Sequence, residues 1–211
     1  MDIAHLREDY RREALNRETL KADPMDQFRF WFEQARTAEV KEPNAMVLAT
    51  VDPSGQPFTR TVLLKQMNAA GLVFYTNYES RKARHLAENN KVSATFLWLD
   101  LERQVTVKGT TEKVSTADSL AYFVSRPLGS RLGAWSSDQS SIIKSRSLLE
   151  AKLEEMKQKF SDGKIPLPSF WGGYRIIPNT WEFWQGRQNR MHDRFLYSAA
   201  GDSWEIERLQ P

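Results

Sequence analysis

Short apolar segments broken by turn residues are the feature that most constrains the fold of this chain. The segments AMVLATV (45–51), PFTRTVLLKQ (57–66) and LVFYTN (72–77) are separated by DPSGQ and MNAAG. Apolar runs of this length, joined by tight turns that contain Gly or Pro, are typical of an antiparallel meander. Two more such runs lie at 91–99 and 103–114. Five strands of similar length predict a small barrel or sandwich.

Two helices are predicted before these strands. Residues 5–20 are polar and rich in arginine, and Asp23-Pro24 provides an N-cap followed by proline at the first position of the second helix. The buried face of the second helix is marked by apolar residues at helical spacing: Phe28, Trp31, Phe32 and Ala35. The N-terminal quarter of the chain is therefore expected to be helical.

Helices are also predicted between and after the central strands. Residues 80–89 form a short helix capped by Ser80, and residues 115–126 form another that ends before Pro127. Residues 128–141 are polar, contain two glycines and predict a loop. Residues 143–160 predict an amphipathic helix.

The C-terminal segments predict four more strands, the last two paired across AAGDS: GGYRII (172–177), TWEFWQ (180–185), DRFLYS (193–198) and WEIERL (204–209).

The composition excludes several kinds of chemistry. The chain has no cysteine, which rules out disulfides, thiol catalysis, Cys-ligated zinc and iron–sulfur clusters. Its 30 basic and 27 acidic residues give a net charge of +3 without a long basic block, so the charge permits an anionic ligand but does not demand a nucleic acid. The charged N-terminus and the absence of an 18-residue apolar run lead us to expect a soluble cytoplasmic protein.

Two pairs of cations lie where the predicted strands could bring them together. Arg81 and Lys82 follow a strand at the start of a helix, where unpaired N–H groups and the helix dipole favour a phosphate. The residues alone favour the alternative, a solvent-exposed helix face. Arg60 and Lys65 are five positions apart, so strict alternation would place them on opposite faces unless the strand twists or bulges. The alternative here is a core strand with charged ends.

The stretch WQGRQNRMHDRF (184–195) concentrates positive charge. Because it runs into a predicted hairpin, we expect a strand in which Arg190, His192 and Arg194 share one face while Met191 and Asp193 take the other. The alternative is a surface ion-pair cluster that uses Asp193 and the glutamates of 204–209. No role is assigned to Arg187.

Several common motifs are absent from the sequence. There is no GxGxxG or Walker loop and no Ser-His-Asp pattern, and the three histidines are too scattered to suggest a metal site. Tyr122 and Arg126 are four positions apart on one helix face, which a structural pair explains equally well. The residues alone therefore predict an antiparallel barrel-like domain that binds a phosphorylated, aromatic small molecule.

Several long blocks closely resemble the pyridoxine/pyridoxamine 5'-phosphate oxidase family. In chain order they are RTVLLK (60–65), FYTNYESRKARHLAEN (74–89), LERQVTVKG (101–109), YFVSRP (122–127), GAWSSDQSS (133–141), PLPSFWGGYR (166–175) and EFWQGRQNRMHDRF (182–195). The resemblance implies an α+β fold, mainly antiparallel β, which is an FMN-binding split β-barrel with flanking helices. It also implies a homodimer with FMN at the interface. An N-terminal lid segment at 1–22 would precede a single domain at 23–211.

The resemblance also implies which residues bind each ligand. FMN would be held by Arg60, Thr61, Val62, Leu63, Leu64, Lys65, Tyr75, Thr76, Arg81, Lys82, Gln104, Gln139, Ser140, Trp184 and Arg194. Substrate would be bound by Arg7, Glu8, Asp9, Tyr10, Lys65, Tyr122, Arg126, Ser130, Arg190, Met191 and His192, of which Arg190 and His192 would be catalytic. Met191 stands where the family usually has leucine, a nearly volume-conserving change.

The activity implied is oxidation of pyridoxine and pyridoxamine 5'-phosphate to pyridoxal 5'-phosphate, with hydride transfer to FMN and O₂ as the final acceptor. Neither a nucleic acid nor a membrane would be a partner. Two other functions stay open: another flavin oxidoreductase, since related split barrels bind flavin, haem or deazaflavin, and a non-catalytic barrel that binds nucleic acid through its basic surface.

Overall fold

The computed structural model describes residues 1, 3, 5, 10 and 14–211. The described α-helices are α1 (Pro24–Thr37), α2 (Arg81–Glu88), α3 (Thr116–Ser125), α4 (Leu128–Ser136) and α5 (Arg146–Lys159). The described strands are β1 (Ala45–Val51), β2 (Pro57–Leu63), β3 (Gln66–Asn68), β4 (Gly71–Asn77), β5 (Lys91–Trp98), β6 (Arg103–Lys113), β7 (Trp171–Gln185), β8 (Asp193–Ala200) and β9 (Ser203–Leu209). Short 3₁₀ turns occupy Arg17–Thr19, Leu99–Leu101 and Gln188–Arg190.

All strand pairs in the described sheet are antiparallel, in the order β2-β1-β5-β6-β7-β4-β3, and β8 and β9 continue from β7. β7 pairs with β6 along one edge. On its other edge it pairs with β4 over residues 171–176 and with β8 over residues 180–185. The sheet therefore divides along β7 into two parts, which confirms the expected split β-barrel.

The main core lies between α1 and the sheet. Asp23 caps α1 as predicted, because its Oδ1 accepts a hydrogen bond of 2.6 Å from the Met25 N–H. Phe28 is fully buried, and its ring centroid lies 4.8 Å from that of Phe96 and 5.4 Å from that of Trp181. Burying each such aromatic side chain contributes about 1.5–3 kcal/mol. α1 thus packs against β5 and β7 through this ring.

A second apolar cluster fixes the helices that follow β6. It contains Phe123, Leu132, Ile165 and Trp171. The predicted loop at 128–141 is wrong over its first nine residues, which form α4. Leu132 and Ser136 are buried on one face of α4, and this packing outweighs the low helix propensity of its two glycines.

Three other element predictions need correction. The helix predicted at 5–20 is absent from residues 14–20, where the structure has only the turn Arg17–Thr19. This polar segment has no continuous apolar face, and it is held instead by Leu15, whose N–H donates to Asp193 Oδ2 at 3.1 Å. The helix predicted at 143–160 begins only at Arg146. The two strands predicted on either side of Pro178 are one strand, β7, with an irregularity opposite Lys108 and Gly109.

Candidate functional site

A cavity of about 450 Å³ lies among β2, β4, α3 and the N-termini of α2 and α4. The residues that were predicted for ligand binding and that line it are Arg60, Thr61, Val62, Leu63, Lys65, Tyr75, Thr76, Lys82, Tyr122, Arg126, Ser130 and Gln139. Pro127 and Trp171 complete the lining. The structure therefore brings together, in one place, residues that the sequence distributes over about eighty positions.

The charge of the cavity is of one sign. Arg60, Lys65, Lys82 and Arg126 line it, and its described lining contains no carboxylate. Cations gathered in a concave site without compensating acids raise the local concentration of anions. The charge of the described lining therefore suits an anionic ligand.

Arg60 and Lys65 line this cavity together although they are five positions apart. β2 ends at Leu63, Leu64 is buried in the main core, and the Lys65 N–H donates to Val73 O at 2.8 Å. The chain therefore leaves the regular strand before Lys65, and strict alternation no longer applies. Leu64 itself packs in the core and does not line the cavity.

Lys82 is the most buried cation of the site. Its Nζ donates to Gln139 Oε1 at 2.8 Å and to Thr76 Oγ1 at 3.0 Å. Burial, and then the charge of Arg60, lower the pKa of Lys82 to about 8. Ser80 occupies the predicted N-cap position, but its hydroxyl accepts from Lys82 at 3.4 Å and does not cap α2.

Arg81, the other predicted cation of this helix start, is exposed and does not line the cavity. Its guanidinium lies 5.5 Å from the centroid of the Phe58 ring.

An aromatic stack forms another wall of the cavity. The ring centroids of Tyr75 and Tyr122 are 4.0 Å apart, and those of Tyr75 and Trp171 are 5.4 Å apart with nearly parallel planes. The Arg126 guanidinium lies 4.8 Å from the centroid of the Trp171 ring. Trp171 was not assigned a role from sequence, although its position directly before two glycines in a resembling block was a usable signal.

Two donors in this wall have no partner among the described residues. The Tyr75 hydroxyl and Arg126 Nη1 are buried and make no hydrogen bond to any described residue. Burial raises the pKa of Tyr75, so its hydroxyl keeps its proton and remains a donor. Because buried donors without partners are costly, these two atoms fit a ligand with several acceptor oxygens, such as a phosphate.

A second group of predicted residues lies elsewhere on the sheet. Gln104 of β6 is directly opposite Trp184 of β7, which is directly opposite Arg194 of β8. We call these three residues the cross-strand row. Arg194 Nε donates to Glu182 Oε1 at 2.8 Å. The row does not line the cavity of its own chain.

The prediction that Arg190, His192 and Arg194 share one strand face is wrong. β8 begins only at Asp193, and Arg190 ends the 3₁₀ turn Gln188–Arg190 with a φ of +59°. The ladder between β7 and β8 ends at the pair formed by Gln185 and Asp193, so the residues between them form a tight loop with no strand alternation.

His192 is held at the end of this loop beside the cross-strand row. Its ring centroid lies 4.7 Å from that of Trp184 and 5.8 Å from that of Tyr10. The Arg187 N–H donates to His192 Nδ1 at 3.1 Å. Burial, followed by the charges of Arg190 and Arg194, lowers the pKa of His192. Together these contacts favour a neutral ring with its proton on Nε2.

Arg187 and Asp193 hold the loop from its other side. Asp193 pairs with Arg208 at 2.7 Å and with Arg187 at 3.6 Å. An ion-pair cluster therefore exists around Asp193, but its cations are Arg187 and Arg208 and not those of the alternative that we considered. Arg194 pairs with Glu182 of β7 instead of the glutamates of 204–209.

Three other predicted residues are placed as follows. Tyr10 lies against Gly186, where a Cβ would be 2.7 Å from Tyr10 Cγ. Met191 is 68% exposed. Ser140 follows Gln139 with a φ of +73°. Arg7, Glu8 and Asp9 lie outside the described residues, as does part of the segment 1–22 predicted to act as a lid.

The chain is similar in sequence to known proteins along most of its length. Residues 32–160 match the family model described as pyridoxamine 5'-phosphate oxidase, and residues 171–211 match the pyridoxine 5'-phosphate oxidase C-terminal dimerisation region. The pyridoxine/pyridoxamine 5'-phosphate oxidase of Rippkaea orientalis is 58% identical over 212 residues, covering all of both chains. The Vibrio cholerae protein of the same name is 53% identical over 211 residues, again covering all of both chains.

Solved structures show the same fold. PhzG from Burkholderia lata, crystallised with tetrahydrophenazine-1-carboxylic acid, superposes with a TM-score of 0.88 at 27% identity, covering 95% of this chain and 99% of PhzG. A pyridoxamine 5'-phosphate oxidase-related, FMN-binding protein from Nostoc punctiforme gives a TM-score of 0.71 at 18% identity, covering 91% of this chain and 100% of its own. No helix in the described ranges is long and apolar enough to cross a membrane.

The matching models and the full-length relatives lead to one conclusion. The chain belongs to the pyridoxamine 5'-phosphate oxidase family.

Proposed function

We propose that the protein oxidises pyridoxine 5'-phosphate and pyridoxamine 5'-phosphate to pyridoxal 5'-phosphate, with FMN as the bound cofactor. When bound, FMN would supply the redox chemistry: it would accept a hydride from the 4' carbon while the hydroxyl or amino group loses a proton, and O₂ would take up the two electrons and two protons to give H₂O₂. For the amine, water would then hydrolyse the imine to the aldehyde and release ammonia. The names and the full-length identity of the relatives support this activity. The protein's own task is to bind and orient the two ligands.

The observation that carries the proposal is the cavity. Both proposed ligands bear a phosphate and an aromatic ring. The cavity offers four cations, no carboxylate in its described lining, and a stack of three aromatic rings. Its unpartnered donors, the Tyr75 hydroxyl and Arg126 Nη1, suit phosphate oxygens.

The cavity's donors form two sets, which we assign to the two phosphates. The FMN phosphate would be held by Arg60, by Lys82 and by the N-terminus of α2. Lys65, Tyr122, Arg126 and Ser130 would hold the substrate phosphate. Burial raises the pKa of Tyr122, so its hydroxyl can donate to a phosphate oxygen at neutral pH.

Arg190 and His192 are proposed to orient the substrate ring. A neutral His192 with its proton on Nε2 can donate one hydrogen bond to an oxygen on the ring, while Arg190 adds a fixed positive charge. Their role would be to hold the 4' carbon at the reacting distance from the flavin. His192 lies against Trp184, so Arg190 and His192 belong to the same region of the molecule as the cross-strand row.

We further propose a homodimer in which the cross-strand row of one subunit completes the cavity of the other. The row does not line its own cavity, and two of its members, Trp184 and Arg194, lie within the region that matches the dimerisation model. Leu97, directly opposite Gln104 and 52% exposed, provides an apolar contact for a second copy beside the row. The flavin would then bind between the subunits.

The proposal is tested on the purified protein. A yellow protein that releases FMN on denaturation, and that forms H₂O₂ and pyridoxal 5'-phosphate from either substrate, would support it. Flavin with no turnover of these substrates would favour another flavin oxidoreductase. Colourless protein that binds single-stranded nucleic acid in a salt-dependent manner would favour the binding-barrel alternative.

A further inference from the structure

A hydrogen-bond chain lies behind Arg60, outside the residues so far assigned to ligand binding. Arg60 Nη1 donates to Thr50 Oγ1 at 2.7 Å and to Leu48 O at 3.0 Å. Thr50 Oγ1 in turn lies 3.1 Å from His85 Nδ1. Thr50 is fully buried and His85 is 7% exposed. The chain runs from α2 through β1 to β2, and only its Arg60 end lines the cavity.

The direction of each bond in this chain follows from the groups involved. A guanidinium can only donate, so the Thr50 oxygen accepts from Arg60. The single proton of the Thr50 hydroxyl is then directed to His85 Nδ1, which must be unprotonated. If His85 donated instead, the buried Thr50 proton would have no acceptor among the described residues. The chain therefore requires a neutral His85 with its proton on Nε2.

We propose that Thr50 and His85 are positioning residues that fix the Arg60 guanidinium for the flavin phosphate and release it when His85 is protonated. This inference rests on the proposed function. Leu48 O and Thr50 Oγ1 both accept from Nη1, and the other guanidinium nitrogens of Arg60 make no hydrogen bond to a described residue. One edge is thereby anchored, and the remaining donors are available to the cavity that Arg60 lines.

The groups around His85 favour its neutral form. Arg60 of β2 and Arg81 and Arg84 of α2 oppose a positive charge, while Asp52, after β1, favours one. The Phe58 ring lies edge-on, 5.0 Å from the imidazole. Burial is the largest cause of the lowered pKa of His85, followed by Arg60.

Protonation of His85 would have two opposing effects on a bound phosphate. It would turn Nδ1 from an acceptor into a donor, so that the buried Thr50 proton loses its acceptor among the described residues, and it would add a positive charge at some distance from the anion. His85 does not line the cavity, so its charge acts only indirectly, whereas the hydrogen bonding of Thr50 behind Arg60 is disrupted directly. We expect this disruption to dominate and flavin to be released as the pH falls below the ordinary histidine pKa of about 6.5.

The test measures flavin release from the diluted holoenzyme by flavin fluorescence between pH 5.5 and 7.5. Thr50→Val keeps the shape of the side chain and removes the hydroxyl, and Thr50→Ser restores a hydroxyl. His85→Asn retains an acceptor near the position of Nδ1 but does not titrate. Thermal melting confirms that each variant is folded.

The expected dissociation constant at pH 7.5 rises about tenfold in Thr50→Val, as for the loss of one hydrogen bond, and recovers in Thr50→Ser. The FMN phosphate also titrates, with a second pKa of about 6. The pH dependence of flavin affinity therefore contains this same contribution in every variant. The unmodified protein should show a steeper acid-induced release than His85→Asn, and the difference is the contribution of His85.

Equal affinity in Thr50→Val and the unmodified protein, or identical pH profiles in His85→Asn and the unmodified protein, would overturn the inference. If Thr50→Val does not fold, the His85→Asn comparison decides. A preparation that binds no flavin at any pH would refute the proposed function itself and is thus a distinct result.

Discussion

The cations of the cavity differ in how the protein controls their charge. Lys82 is buried among neutral acceptors, and burial, followed by the charge of Arg60, lowers its pKa to about 8. Arg126 is also desolvated, but a guanidinium keeps its charge throughout the ordinary pH range. Arg60 is held by buried acceptors on its protein side. These differences predict distinct responses to pH and to substitution.

Flavin affinity should fall as the pH rises through about 8, because the pKa of Lys82 is lowered to about 8 and only its protonated form attracts a phosphate. The measurement is a fluorescence titration of flavin-free protein from pH 7 to 9.5. Lys82→Arg should bind with little change over this range, since arginine stays charged, and Lys82→Met should bind weakly throughout. A flat profile for the unmodified protein would contradict this assignment.

Replacing Arg126 should raise the Michaelis constant for pyridoxine 5'-phosphate. Arg126→Met removes a charge-assisted hydrogen bond of about 1.5–3 kcal/mol, which corresponds to roughly a 10- to 150-fold increase, with turnover nearly unchanged. Tyr122→Phe is a matched control that keeps the ring stack with Tyr75 and loses only the hydroxyl, so its effect should be smaller. Equal use of unphosphorylated pyridoxine by the unmodified protein would refute a phosphate-selective role.

Arg190→Ala should lower turnover about a hundredfold while leaving most of the FMN bound, because misplacement of the substrate affects the reacting distance and not the flavin site. Turnover per bound flavin and flavin content are measured on the same preparation. Loss of FMN together with normal turnover per remaining flavin would instead assign Arg190 to the cofactor.

At the scale of elements, the regular strands and the capped helices were predictable from local patterns. The bounds of β1 match the predicted segment, and the caps of α1 and α3 are formed by Asp23 and Ser115. α4 was not predictable, because two glycines and a polar composition hide the one face that packs on Trp171. The loop between Gln185 and Asp193 was also missed, because the positive φ angles of Asn189 and Arg190 are uncommon for residues other than glycine.

The same reasoning limits what could be predicted of the site. Local patterns suggested phosphate binding at Lys82, but they favoured the alternative, a solvent-exposed helix face. Arg60 and Lys65 line the same cavity because the chain leaves β2 before Lys65. The alternation of side chains along a strand does not predict this departure. The division of ligand roles came only from the resemblance.

Two glycine substitutions, one in α4 and one in β6, test this account of α4. Gly133→Ala should raise the free energy of unfolding by about 0.4–1 kcal/mol, because its Cβ would meet nothing within 4 Å in a helix interior. Gly109→Ala is the contrasting variant, because its Cβ would lie 2.0 Å from Ile177 O and must disrupt the β6–β7 ladder. Denaturant melts measure both changes. Destabilisation by Gly133→Ala would mean that α4 requires the flexibility of glycine.

At the scale of the whole molecule, the separation of the cavity from the cross-strand row is the decisive feature. Each chain carries one of each, and β7 links them: its first half pairs with the strand that bears Tyr75, and its second half bears Trp184. In the proposed dimer, two chains would therefore form two composite sites.

A mixed dimer tests the composite site directly. One subunit carries Arg126→Met and the other Arg190→Ala, and the two are distinguished by affinity tags so that the mixed species can be isolated. Assayed below the Michaelis constant, each pure variant should be nearly inactive, while the mixed dimer should recover about half of the normal rate through its one intact site. No recovery would place Arg126 and Arg190 in the same subunit's site.

The exposed thioether of Met191 has a chemical consequence for an enzyme that generates peroxide. The chain has no cysteine to intercept the oxidant, and Met191 is 68% exposed between the two residues proposed to orient the substrate. Its conversion to the sulfoxide would replace an apolar side chain by a polar one at that point. Gradual self-inactivation during turnover, and dependence on sulfoxide repair, would then be properties of this protein that a leucine at the same position avoids.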